Sequence, residues 1–327
     1  MSLIVKSLNE LIVRSGLKPK IILAEGWSKF VQQAAEDLVR NYPITPILLF
    51  RTANEVPIFM HNGIQKIIID NLDLSKYASF LYELRKEKGM TLEEANLQVK
   101  QPNVLAALLV KLNEADGEVC GKEYATKDTL KPALQIIKTQ KNSELVSSLF
   151  LMERPNEMLV FADCAINVNP TSKELAAITK NTIEFANKVL NISDPVVALL
   201  SYSTFGSGAG ESVDKVKNAL DLLKQSPIYL NAKIFGEIQF DAAYVDDVRK
   251  QKAPHLDLNT KPSVYIFPNI DAGNIGYKIA QRLGNFEATG PILIGLDKPV
   301  NDLSRGASVR EIINVAVITA AQAIFKS

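Results

Sequence analysis

Apolar residues in this chain come in short continuous runs that alternate with segments of helical spacing. The run at residues 21–24 leads into Glu25-Gly26, after which Phe30, Val31, Ala34, Ala35, Leu38 and Val39 recur at the spacing of one helix face. Strand, turn and helix are predicted there. Residues 44–50 and 66–69 predict further strands, and residues 74–88 a helix stopped at Gly89. Thr91 and Glu94 have the spacing of a capping box, and Pro102 suits the first turn of the helix after it. A short strand at 118–120 and a helical segment at 128–139 follow, and the polar stretch 140–144 marks a boundary. Beyond it, strands are predicted at 145–152 and 158–161, paired across Pro155-Asn156-Glu157, and again at 196–200, 232–235, 264–267 and 291–295. Helices are predicted at 173–190, 212–224, 241–250 and 309–325. Such alternation implies parallel strands joined by crossover helices, hence an α/β chain whose sheets are covered on both faces.

Composition bounds the picture without changing it. With 327 residues, 47% of them hydrophobic and 22% charged, the chain is long enough for about two domains and a substantial core. The formal net charge of +1 gives no overall pull toward nucleic acid or an anionic membrane, so any phosphate-bearing ligand must be met by local arginines and lysines. Cys120 and Cys164 form no C-x-x-C pair, and His61 and His255 have no nearby partner, which predicts no metal site and a reducing compartment. Leu3, Ile4, Leu8, Leu11 and Ile12 form a helical stripe broken by Lys6 and Glu10, unlike a signal peptide. No run reaches the ~20 apolar residues of a membrane span, and a soluble, cytoplasmic protein is expected.

Two polar loops carry the candidate chemistry. Residues 298–308 read as a loop between the strand at 291–295 and the terminal helix, where a helix N-terminus offers unpaired N–H groups to an anion. Ser304 and Arg305 lie in it; an arginine there can grip phosphate through its planar fork, and a turn serine beside a surface arginine is the alternative. Ser308 and Glu311 have capping-box spacing. The second loop, residues 201–210, follows a strand and holds Gly206, Gly208 and Gly210. It lacks the third glycine of a dinucleotide fingerprint at the required distance, so close approach of a phosphate or amide-rich ligand and a plain turn both remain open. Neither a nucleotide phosphate cradle nor a nucleophile elbow is present.

The motifs Leu81-Tyr-Glu-Leu-Arg85, Ala115-Asp-Gly117, Phe161-Ala-Asp-Cys-Ala-Ile-Asn-Val-Asn-Pro170, Ser201-Tyr-Ser-Thr204, Gly236-Glu-Ile-Gln239, Pro268-Asn-Ile-Asp-Ala-Gly273 and Lys298-Pro-Val-Asn-Asp-Leu-Ser-Arg-Gly306 occur in this order. Together they resemble the phosphate acetyltransferase (phosphotransacetylase) family over nearly the whole chain. The resemblance implies two three-layer α/β domains with mixed, mainly parallel sheets, like those of isocitrate and isopropylmalate dehydrogenases. It places residues 1–141 and 296–327 in one domain and 142–295 in the other, with the active-site cleft between them, and implies a homodimer. The implied reaction is reversible acetyl transfer between coenzyme A and phosphate by direct thiolate attack in a ternary complex. No permanent cofactor or metal is implied; acetyl-CoA, phosphate and acetyl phosphate are substrates, with no nucleic-acid or membrane partner.

By the same resemblance Ser304 donates to the oxyanion or the thiol sulfur, Arg305 holds phosphate, and Arg85 and Lys131 are further phosphate cations. Glu311 stands where the family usually carries an aspartate that takes the thiol proton; as base, helix cap or both, it remains open. Arg282 would meet coenzyme A phosphates; Lys278, four residues earlier on the same predicted helix face, is a further candidate or a solvent-facing lysine, and Ser201, Ser203, Thr204 and Gly206 are coenzyme contacts or a plain turn. The chain also departs from the pattern. Cys120-Gly-Lys122 replaces Ser-Gly-Ala, Lys131 replaces an arginine, Glu87 a histidine and Phe205 a lysine. These changes suggest a drifted substrate-side loop, leaving a longer acyl group such as butyryl, or a silent coenzyme-binding member, as alternatives.

Overall fold

The computed structural model describes residues 2–256 and 261–325. Two compact units result, one from Met1–Lys141 with Leu296–Ser327, the other from Asn142–Gly295. The chain begins with α1 (Leu3–Ser15), β1 (Lys20–Leu23), α2 (Lys29–Asn41), β2 (Thr45–Phe50), β3 (Gln65–Ile68), α3 (Ser75–Arg85), α4 (Leu92–Gln98), α5 (Pro102–Lys111), β4 (Gly117–Cys120) and α6 (Thr126–Pro132). It then builds the second unit from β5 (Ser147–Arg154), β6 (Glu157–Ala162), α7 (Ser172–Lys188), β7 (Val196–Leu200), α8 (Glu211–Lys224), β8 (Lys233–Ile238), α9 (Phe240–Tyr244), α10 (Asp246–Lys252), β9 (Val264–Ile266), α11 (Ile270–Leu283) and β10 (Glu287–Ile294). Finally β11 (Val300–Asp302) and α12 (Val309–Ile324) return to the first unit.

The first unit holds a parallel sheet of order β11-β4-β1-β2-β3. The central strand β1 is apolar on both faces, as expected of a strand covered on both sides: its Ile21, Ile22 and Leu23 are all buried. Helix α12 is buried from Ile312 to Gln322 and packs against α1, α2 and β4, so it runs through the unit rather than over it. That position explains its nearly uninterrupted apolar sequence.

One strand was not expected. The stretch 298–308 contains β11, whose Val300, Asn301 and Asp302 are all buried although two are polar. Asn301 is tolerated because its amide donates to Thr319 Oγ1 at 2.8 Å and Gln322 Oε1 at 2.7 Å, both on α12.

In the second unit the sheet runs β10-β5-β6-β9-β7-β8. Strands β6, β9, β7 and β8 are parallel to their neighbours in that run, whereas β10 with β5 and β5 with β6 are antiparallel. The fold class is therefore mixed α/β with mainly parallel sheets. The predicted hairpin across residues 155–157 forms, with Asn156 taking the positive φ of 64° that the tight turn demands. The helix expected at 241–250 is instead divided at Val245, which is extended (φ −103°, ψ 117°) between α9 and α10. Strand β10 begins earlier than its apolar run, at Glu287, with a register irregularity between Thr289 and Ile292.

Candidate active site

Parallel sheets present their ligand loops beyond the carboxyl ends of the strands, at the point where strand order reverses. In the first unit that point lies between β1 and β4: the chain proceeds from β1 to β2 and β3 on one side, and places β4 and β11 on the other. Three loops meet along this edge, after β1, β4 and β11.

Glu25, after β1, joins the first two. It is fully buried, and its Oε1 accepts from the Gly121 N–H at 2.8 Å and the Glu123 N–H at 3.1 Å. Burial raises its carboxyl above the usual range, while the backbone N–H groups of Glu123, Gly121 and Tyr124 oppose the rise. Glu118 on β4 is wholly buried too, and burial, reinforced by Glu25, holds its carboxyl well above the usual range. Asp302 at the end of β11 is pushed up to about 6 by burial, against the hydroxyls of Thr126 and Thr129 and the Leu303 N–H. The β4 loop reaches the β11 loop so closely that Gly121 (φ +109°) has no room for a side chain: a Cβ there would strike Asp302 Oδ1 and the Leu303 backbone. Cys120 is buried, its thiol pushed well up by burial, so it is no nucleophile in this state.

Ser304 and Arg305 are exposed on the turn after β11. The Ser304 hydroxyl accepts from the Gly306 N–H at 3.2 Å, and its carbonyl accepts from the Ala307 N–H at 2.8 Å, which rounds the turn. Ser308 then caps α12. The predicted capping box is present in full: Ser308 Oγ accepts from the Glu311 N–H at 3.3 Å, while Glu311 Oε2 accepts from the Ser308 N–H and hydroxyl, each at 2.8 Å. Both cap bonds use Oε2, leaving the Glu311 Oε1 outside the box.

Arg85 ends α3 half-buried, and its buried Nε–H has no hydrogen-bond partner among the described protein groups. Lys131, on α6, lines a cavity of about 300 Å³ with Leu81, one turn before Arg85, and with Gln98, Gln101, Asn103, Tyr124 and Asp128. The amide of Asn103 donates to the Asp128 carbonyl at 2.8 Å, but its buried Oδ1 is unpaired. Among the described residues, no group of histidine, cysteine or acidic side chains is arranged to hold a metal ion.

The second unit repeats the device of a buried carboxylate pinning a strand-end loop. Glu237 at the end of β8 is 2% exposed, and its Oε1 accepts from the Ser203 hydroxyl at 2.9 Å and the Gly206 N–H at 2.6 Å. Thr204 exchanges hydrogen bonds with Gln239. Ser203 and Thr204 are thus buried inside the loop they build, whereas Ser201 is half-buried and Gly206 exposed. Asp163, likewise buried, accepts from the N–H groups of Ala165, Ile166 and Asn167 and from the Ser148 hydroxyl. Lys278 and Arg282 are exposed on α11, with Arg282 about 18 Å along the helix from its start.

Glu25, Glu237 and Asp163 were not singled out from sequence. Their shared signal is an acid within two residues of the carboxyl end of a strand, where buried loop N–H groups need an acceptor.

An α/β fold with cation-bearing turns and pinned loops at strand ends defines a class of enzyme that handles anionic, phosphate-bearing substrates. The chain belongs to the family described as phosphate acetyl/butaryl transferase, which it matches over residues 4–320. It is 51% identical over 323 residues to the phosphate acetyltransferase of Mycoplasma pneumoniae, covering 98% of this chain and 99% of that protein. A phosphotransacetylase structure from Streptococcus pyogenes superposes with a TM-score of 0.90 at 42% identity, covering 99% of each chain. The fold extends further: a 4-hydroxythreonine-4-phosphate dehydrogenase structure from Klebsiella pneumoniae matches at TM-score 0.55 and 10% identity, over 93% of this chain and 98% of that one.

Proposed function

We propose that this protein is a phosphate acetyltransferase, moving an acetyl group reversibly between coenzyme A and phosphate. The observation that carries the reading is the exposed Ser304-Arg305 turn beyond β11, one turn ahead of the Glu311 carboxylate, in a chain of this family. The coenzyme thiol attacks the carbonyl carbon of acetyl phosphate, the carbonyl oxygen takes up negative charge, and phosphate departs as the C–O bond breaks. A free thiol titrates near ~8.5 and reacts as thiolate, so a proton acceptor beside it is needed at neutral pH. Glu311 supplies it through Oε1 while Oε2 keeps the cap. Ser304 donates to the developing oxyanion, and Arg305 holds the phosphate with its planar fork. Arg85, whose Nε–H has no partner, and Lys131 at its cavity add positive charge on the phosphate side.

On the second unit, Ser201 and Gly206 offer contacts to coenzyme A, Ser203 and Thr204 shape the loop, and Arg282 with Lys278 meets the coenzyme's phosphates. The active enzyme is a cytoplasmic homodimer in this reading. Among the described residues no helix is long and apolar enough to cross a membrane.

The test is phosphate-dependent release of coenzyme A thiol from acetyl-CoA by the purified protein. The wild type turns over, and Arg305→Ala loses roughly a hundredfold or more of kcat/KM with its fold intact. Absence of release from the wild type would overturn the reading, and faster turnover of butyryl-CoA than acetyl-CoA would move it to a longer acyl group.

A further inference from the structure

Lys122 is buried, 9% exposed, in the loop after β4. A lysine is seldom so buried without a partner. Its ammonium donates to the main-chain carbonyl of Arg305 at 2.6 Å and lies 4.5 Å from the centre of the Phe30 ring. Both partners are neutral, so its charge is attracted but not cancelled, and it stands directly behind the turn that exposes Ser304 and Arg305. The lysine's own backbone is fixed independently, because Glu25 Oε1 holds the N–H groups of Gly121 and Glu123 on either side of it.

Among the described residues, the turn is tied to this loop at two points. The Leu303 N–H donates to the Cys120 carbonyl at 2.8 Å, continuing the parallel pairing of β11 with β4, and the Lys122 ammonium holds the Arg305 carbonyl two residues later. The remaining bonds, from Gly306 to the Ser304 hydroxyl and from Ala307 to the Ser304 carbonyl, lie within the turn and do not anchor it to the sheet. Lys122 is therefore what fixes the peptide plane after Arg305. A rotation of that plane redirects the arginine, and a misplacement of about 1 Å can cost a hundredfold in rate.

We propose that Lys122 is a positioning residue for the reaction: its buried ammonium locks the Arg305 carbonyl, aims the arginine fork, and adds positive charge behind the site for the phosphate of the substrate. This rests on reading Arg305 as the phosphate grip. The side chain itself does not touch the reacting atoms; it acts through the turn.

The experiment compares the wild type with Lys122→Met, which keeps an unbranched stem over Phe30 and removes the ammonium. Affinity for inorganic phosphate is measured by calorimetry, and KM values for phosphate and acetyl-CoA are determined separately with kcat. Losing a charged hydrogen bond at the turn is expected to weaken phosphate binding by about tenfold or more and to lower kcat, with the acetyl-CoA KM within about twofold of the wild type. Phosphate affinity and KM unchanged within about twofold would overturn the proposal, as would equal losses for both substrates, the signature of general structural support. Lys122→Gln, which retains a neutral donor, is predicted to fall between the two and serves if the methionine variant does not fold. A wild type that binds phosphate without turnover would sink the acetyltransferase reading and leave the phosphate comparison still decisive for Lys122.

Discussion

Glu311 offers the sharpest separation of structure from chemistry, since one side chain is assigned both. Its Oε2 accepts two bonds from Ser308 and completes the capping box of α12. A cap of this kind is worth about 1 kcal/mol, and a carboxylate near a helix N-terminus adds ~0.3–1 kcal/mol through the helix dipole. Glu311→Ala keeps the Ser308 Oγ bond to the main-chain N–H of residue 311 but removes both bonds to Oε2 and the carboxylate charge, so a loss of about 1–2 kcal/mol follows. At roughly 2–4 °C per kcal/mol for a chain of this order of size, that lowers Tm by about 2–8 °C. Glu311→Gln behaves differently. Glutamine serves in a capping box, so most of the cap survives, yet an amide takes no proton from a thiol. General-base catalysis is typically worth ~10²–10⁴-fold, so the glutamine variant should lose at least about a hundredfold of kcat while Tm falls by only about 1–4 °C. Thermal unfolding and phosphate-dependent thiol release on the same preparations check both arms. If the glutamine variant turns over within about threefold of the wild type, Glu311 is a cap alone and the proton goes elsewhere.

Asp302 makes stability depend on pH with a definite sign. Burial raises its carboxyl from 3.8 to about 6, so between those values the folded chain keeps a proton that the unfolded chain has released. Stability therefore falls as pH rises through that window, and the cost, about 3 kcal/mol at most, persists above it. Asp302→Asn should raise Tm relative to wild type at pH 8 and change it little at pH 4; an equal shift at both would refute the linkage. Glu237→Ala removes the acceptor of the Gly206 N–H and the nearer acceptor of the Ser203 hydroxyl, which keeps the Gly208 carbonyl at 3.4 Å, at about 1–3 kcal/mol in all. Faster amide hydrogen exchange at Gly206 and a higher acetyl-CoA KM are expected, and unchanged exchange would show the loop to be held by other contacts.

Much of this architecture was legible because periodicity reports burial on a regular element. The strands at β1, β2, β7 and β9 and the helices α2, α7, α8 and α12 emerge from apolar spacing within a few residues of their bounds. The capping box at Ser308 and Glu311 was readable for the same local reason, since all its partners lie within four residues. Strand β11 was not, because its burial depends on Asn301 finding acceptors on α12, 18 and 21 residues later. No window of neighbouring residues contains that information. The break at Val245 was also invisible: neither glycine nor proline marks it, and the apolar spacing continues across it.

The site divides along the same line. Ser304 and Arg305 could be placed on an exposed strand-to-helix turn from sequence, since a loop between two apolar elements has few other places to go. What holds that turn could not. Lys122 reads as a departure in a polar loop, where a lysine is expected to be solvated. Its burial follows from two distant neighbours, Phe30 on α2 and the Arg305 carbonyl, which meet it only because β1, β4 and β11 lie side by side in the sheet. If Lys122 acts as proposed, a change at that loop alters the support of the turn that carries Arg305. Glu25, which fixes the loop on both sides of Lys122, stands behind the same turn at one further remove.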